Sequence, residues 1–162
     1  MQSIQTVSEN TIYVGASDRR LAKFENLFPI PRGVSYNAYV ILDEKTALLD
    51  TADASVGAQF LENVAAALDG RKLDYLIVDH MEPDHAAMIE AVLVRWPDLR
   101  LVVNAKTLPM LKMYFPTDSA AIDDALVVKE GDTLDLGKHK LTFVMAPMVH
   151  WPEVMMTFDT TT

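Results

Sequence analysis

Apolar and polar positions along the chain alternate between short β-type runs and segments of helical period. Thr11-Ile12-Tyr13-Val14-Gly15 is rich in β-branched and aromatic residues and predicts a strand. Asp18 to Phe28 is mixed, and Phe28-Pro29-Ile30-Pro31-Arg32-Gly33 reads as irregular because prolines and a glycine interrupt it. Ser35 to Leu42 and Thr46 to Asp50 read as two strands, with Asp43-Glu44-Lys45 as their hairpin turn. Val56, Phe60, Val64, Ala67 and Leu68 then recur at helical spacing, and Gly70 suits a helix stop. Leu73 to Val78 reads as a buried strand, Ala86 to Leu93 begins a helix ending near Trp96-Pro97, and Arg100 to Asn104 is another strand. A helix over Thr107 to Tyr114, closed by Phe115-Pro116, follows. The order so far is that of an α/β fold, a sheet with helices packed on it.

The last third changes character. Ala125 to Lys129, Thr133 to Leu136, Lys140 to Met145 and Val154 to Phe158 read as strands, with turns at Gly131-Asp132 and Gly137-Lys138. No repeat, low-complexity tract or linker divides the chain, and 162 residues are enough for one domain with a real core.

Composition narrows the function classes. The formal charge of -9 argues against nucleic acid and anionic membrane surfaces, and it favours basic partners. There is no cysteine, which excludes disulfides, thiolate metal sites and a thiol nucleophile. The amino-terminal residues show no signal-peptide pattern, and no apolar run approaches the ~20 residues of a membrane helix. The expectation is a soluble cytoplasmic protein.

The chemistry concentrates in Asp79-His80-Met81-Glu82-Pro83-Asp84-His85, between a predicted strand and a predicted helix. Loops at the carboxyl ends of strands form the binding crevices of open α/β sheets. Imidazoles and carboxylates at alternating positions suit first-row transition metals, and one such loop can serve two adjacent ions. His80, Glu82, Asp84 and His85 are therefore candidate metal ligands, with Asp84 also expected to cap the following helix. His150 lies between Pro147 and Pro152 on a loop rigid enough to hold a ligand, and it joins the candidate set. His139, in Gly137-Lys138-His139-Lys140, reads as solvated. Asp50 ends a strand, either as a carboxylate orienting a ligating imidazole or as an ordinary turn former. Glu9, Asp123, Asp124 and Glu130 read as surface charge, and the methionines, Trp96 and Trp151 as packing residues. Glu82 carries the most information: a third imidazole there would favour zinc, whereas a carboxylate makes a harder set suited to iron or manganese. No catalytic side chain beyond the metal ligands, and no organic cofactor site, is apparent.

On His80-x-Glu82-x-Asp84-His85, His150-Trp151-Pro152 and Pro29-Ile30-Pro31-Arg32-Gly33-Val34-Ser35-Tyr36-Asn37, the chain resembles the flavodiiron proteins, or A-type flavoproteins. The likeness covers essentially its whole length. It implies a metallo-β-lactamase-like αββα sandwich, here incomplete: residues 1–162 would hold the first sheet with its helices and the start of the second. It implies a non-haem di-iron centre that reduces O2 to water or NO to N2O. His80, Glu82 and His150 would bind one iron, and Asp84 and His85 the other. The family's bridging aspartate and one further histidine find no match in this sequence. Its flavodoxin-like FMN domain has no counterpart here either, and FMN would not be bound by this chain. The electron donor would be a rubredoxin-like protein or a flavin reductase, acting through that FMN. The resemblance also implies a homodimer, or association through exposed sheet surface, with activity belonging to the full-length protein rather than this chain alone. Two alternatives stand beside this: a zinc hydrolase of the same fold, and a metal-free non-catalytic fragment.

Overall fold

Each parallel neighbour pair in the main sheet is joined through a helical segment, as parallel pairing requires. The computed structural model describes residues 3–24, 26–115 and 120–161. Pro116, expected to close a helix, and Met1-Gln2 lie outside them. In chain order the elements are β1 (Gln5–Ser8), β2 (Thr11–Tyr13), β3 (Ala16–Asp18), β4 (Lys23–Phe24), β5 (Phe28–Pro29), β6 (Val34–Tyr36), β7 (Tyr39–Leu42) and β8 (Thr46–Leu49). Then come α1 (Gly57–Leu68), β9 (Tyr75–Ile77), α2 (Pro83–Ala86), α3 (Ile89–Arg95), β10 (Arg100–Asn104), α4 (Thr107–Tyr114) and α5 (Ala120–Asp123). The last four are β11 (Leu126–Val128), β12 (Thr133–Asp135), β13 (Lys140–Met145) and β14 (Met155–Asp159).

The main sheet runs β1-β2-β7-β8-β9-β10-β11. Its first four strands pair antiparallel, and β8, β9, β10 and β11 pair parallel. The second sheet, β12-β13-β14, is antiparallel throughout. Helix α1 packs on β7, and α4 and α5 pack on β10. Phe60, Val64, Ala67 and Leu68 of α1 are buried on the helical period read from the sequence, facing Leu48, Leu76, Leu101 and Val103 in one cluster. Asp69 and Gly70, both at positive φ, end α1. A second cluster fills the space between the sheets: Ile41, Ala47, Ile77, Val102 and Val128 meet Leu134, Leu136, Leu141, Phe143 and Met155. The layers are helix, sheet, sheet, three of the four layers of an αββα sandwich. Met156 and Phe158 of β14 are more than half exposed.

Several expectations need correction. The strand read over Ser35 to Leu42 is two strands: β6 pairs with β3, and β7 turns into the main sheet after Asn37-Ala38. The helix read from Ala86 is two short helices, parted at Ala87-Met88. Asp84 is not the cap; Glu82 occupies that position and Asp84 lies in the first turn of α2. His139 is not solvated: it is 2% exposed, with Nδ1 2.7 Å from Asp159 Oδ2 and its backbone N–H donating to Asp43 Oδ2 at 2.6 Å.

The end of β3, in the small β3-β6 sheet, carries a charge pair whose protonation should register in stability. Asp18 accepts from Arg20 Nε at 3.1 Å, Nη2 at 3.2 Å and backbone N–H at 2.8 Å. The side-chain hydrogen bond, then the backbone one and the guanidinium charge, hold the carboxyl at about 2. A depressed folded value stabilises above the unfolded value, ~3.9, and that contribution fades as pH falls through about 2. Asp18→Asn is expected to lower the melting temperature at neutral pH, with the gap from wild type closing between pH ~4 and ~2. A gap independent of pH in thermal melts would contradict this.

Candidate metal centre

The site forms where β8, β9 and β10 end and the β13–β14 connection folds over them. Asp50 follows β8, the His80–His85 loop follows β9, and Asn104 closes β10. Pro83 at the first helical position needs no N–H partner, so α2 can begin immediately after Glu82. The 147–153 segment supplies His150 and Trp151 from the other side. Asn104 Nδ2 donates to the Glu153 carbonyl at 2.6 Å and Met155 N–H to the Asp79 carbonyl at 3.0 Å, fastening that segment to the strand ends.

Of the five sequence-predicted residues, the structure brings three to one point. Glu82 Oε2 lies 3.0 Å from His80 Nε2 and 2.9 Å from His150 Nε2, and donor atoms of all three lie within 4.8 Å of one another. His80 and Glu82 are buried, while His150 has 67% of its side chain exposed. The other two form an adjoining pair: His85 Nε2 is 3.6 Å from Asp84 Oδ2, and the His80 and His85 rings are 5.2 Å apart. Trp151 is more than packing filler, because its ring lies edge-on to His80 at 5.2 Å and walls the site.

Both buried-side ring nitrogens are already held. Asp50 Oδ2 is 2.8 Å from His85 Nδ1, and Glu153 Oε1 is 2.8 Å from His80 Nδ1. Each leaves Nε2 toward the site, the usual way a protein orients an imidazole ligand. Asp50 thus has the geometry of the orienting alternative. Its φ of 54, in the left-handed region that non-glycine residues rarely adopt, aims the carboxylate at both His85 and the Asp79 N–H.

The electrostatics are those of a site that accumulates carboxylates. Burial, with the charge of Asp50, pushes the Asp79 carboxyl up to about 8. Burial also raises Asp84, assisted by the charge of Glu82. On His85, burial opposes the charged ring, yet the Asp50 hydrogen bond and the surrounding carboxylates carry it to about 9. Asp84 Oδ1 is buried with no hydrogen-bond partner. An unpaired buried carboxylate oxygen beside converging imidazoles is what a cation would satisfy. The donor set fits hard-to-borderline metals, with imidazole and carboxylate in both halves. A cavity of about 260 Å³, lined by Phe24, Tyr36, Asp53 and Ser55, opens against Glu82 and Asp84.

Sequence reasoning did not find Glu153. A lone acid between Pro152 and Val154 looks like surface charge, but it is 1% exposed. The available signal was its place in an apolar run, Trp151 to Met156, where a buried carboxylate needs a partner.

An α-β-β sandwich with a paired imidazole–carboxylate site at its strand ends defines the metallo-β-lactamase-like class. The chain belongs to the family described as ODP family beta lactamase, whose profile matches residues 34–162. It is 36% identical over 154 residues to a nitric oxide reductase of Moorella thermoacetica, covering 94% of this chain and 38% of that protein. Rubredoxin oxygen:oxidoreductase from Desulfovibrio gigas superposes with a TM-score of 0.90 at 31% identity, covering 97% of this chain and 38% of that one. A flavo di-iron protein mutant from Thermotoga maritima superposes with a TM-score of 0.87 at 26% identity, covering 99% and 40%. The chain therefore corresponds to well under half the length of each, and the part it matches is the flavodiiron metallo-β-lactamase-like domain. Among the described residues no helix is long and apolar enough to cross a membrane.

Proposed function

We propose that the chain is the metal-binding part of a cytoplasmic flavodiiron oxidoreductase acting on O2, NO or both. The observation that supports this most directly is the convergence of His80, Glu82 and His150 beside the Asp84–His85 pair. On this reading the first three hold one iron and the second two hold the other. Irons held by these residues would supply electrons to a small diatomic substrate and offset the charge that develops on it.

The chain's own residues do the rest. Glu82 in place of an imidazole hardens the donor set toward iron. Asp50 and Glu153 fix the rings of His85 and His80. Trp151 covers one side of His80, and the cavity at Glu82 and Asp84 leaves room for a small ligand. Reduction of O2 to water consumes four electrons and four protons, and coupling of two NO to N2O and water consumes two of each. The electrons would come through a flavin group, FMN, fed by a rubredoxin-like protein or a flavin reductase. Residues 1–162 are accordingly read as part of a metallo-β-lactamase-like domain. The half-exposed Met156 and Phe158 on β14 support association through sheet surface, with a second copy of the chain as its partner.

NO uptake tests the reading. The chain, loaded anaerobically with ferrous iron, is expected to take up NO in proportion to its iron content, measured with an NO electrode. His85→Ala is expected to halve both iron and NO uptake. Preference for zinc with no NO uptake would favour the hydrolase alternative instead.

A further inference from the structure

We propose that Glu153 is a positioning residue for His80, holding that ring with Nε2 toward the metal while being itself no ligand. The inference rests on the di-metal reading above. Glu153 sits on the same β13–β14 connection as His150, three residues on, so one segment supplies a candidate ligand and the support of another.

The geometry concentrates on a single oxygen. Glu153 Oε1 lies 2.8 Å from His80 Nδ1 and accepts the Met81 N–H at 3.0 Å. Oε2 is buried and has no hydrogen-bond partner. A carboxylate that is 1% exposed is costly, and here, among the described residues, its side-chain hydrogen bonds go to His80 and Met81 of the ligand loop. Its backbone is equally committed, through Asn104 Nδ2 at 2.6 Å on its carbonyl. A residue kept only for folding would gain from apolar replacement, because well-packed hydrophobes of similar volume commonly equal or exceed buried charges in stability. The arrangement instead orients a ring, as the outer partners of metal-bound histidines do.

Because Oε1 alone makes both contacts, Glu153→Gln retains the accepting oxygen and Glu153→Leu removes it. Titration with Co(II) alone, followed by visible absorption, is expected to show Glu153→Leu binding ~10–100-fold more weakly at one site, with an altered spectrum. Glu153→Gln is expected to lose less than ~10-fold and to keep the wild-type spectrum. In metal-free protein, nitrogen-edited NMR is expected to find the His80 proton on Nδ1, protected from solvent, in wild type and Glu153→Gln. If Glu153→Leu does not fold, the Gln variant and the NMR signal decide alone. Wild-type affinity and spectrum in Glu153→Leu, a loss in Glu153→Gln equal to that of Leu, or a wild-type His80 without an Nδ1 proton would overturn the proposal. Wild type that binds no metal yet shows the Nδ1 proton would sink the di-metal reading and leave the hydrogen bond standing.

Discussion

Glu82→Ala is expected to lower metal content from two ions to one per chain, with affinity at the depleted position falling by more than ~100-fold. The size follows from the geometry. Glu82 Oε2 is the common neighbour of His80 Nε2 and His150 Nε2, at 3.0 and 2.9 Å. Loss of an outer partner alone costs ~10–100-fold in metal affinity, so removal of an inner carboxylate costs more. The exposed His150 and the buried His80 would be left as a two-imidazole remnant. Stability separates this from simple misfolding. A ligand present at 100 times its Kd stabilises by about 2.7 kcal/mol. The variant should lose the depleted site's share of that metal-dependent rise in melting temperature, read against its own metal-free melting temperature. Metal analysis and thermal melts with and without ferrous iron check both halves. An intact stoichiometry would contradict the assignment of Glu82.

Phe143→Ala should give the largest stability loss, about 3–5 kcal/mol. Phe143 is fully buried and sits among the ten buried residues that join the two sheets. Its β13 pairs with both β12 and β14, so the cavity would open where the second sheet is anchored. For a domain of this size the loss corresponds to a melting temperature lower by roughly 10 °C. Metal affinity should fall with it, because the β13–β14 connection carries His150 and Glu153. Urea unfolding measures the first effect and metal titration the second. A loss below ~1 kcal/mol would show that the second sheet is not part of the cooperative core.

How much of this could be read in the sequence depends on the range of the interactions involved. The loop from His80 to His85 was legible because its signal is local: dense polar donors between an apolar strand and a helical period. His150 was legible from its flanking prolines and the earlier motif. The parallel core strands β9 and β10 announced themselves as apolar runs, since both faces are buried. What was misread depends on distant partners. His139 occupies a polar turn, and its partners Asp43, 96 residues away in sequence, and Asp159 are not visible in the local pattern. Glu153 looks like surface charge until His80, 73 residues earlier, is placed beside it. The break between β6 and β7 arises because β3 captures Val34 to Tyr36, and three-residue strands such as β3 carry almost no periodicity of their own. Asp84 reads as a cap because it precedes an apolar run, but Pro83 starts the helix, so the cap falls two residues earlier, at Glu82.

The most direct measurement is the iron content of the chain purified without air or chelators, with Mössbauer spectra and intact mass from the same sample. The account predicts two irons per chain in inequivalent sites, one richer in imidazole than the other, and a drop to one in Glu82→Ala. Zinc in place of iron, or an intact chain that takes up no metal under these conditions, would contradict it.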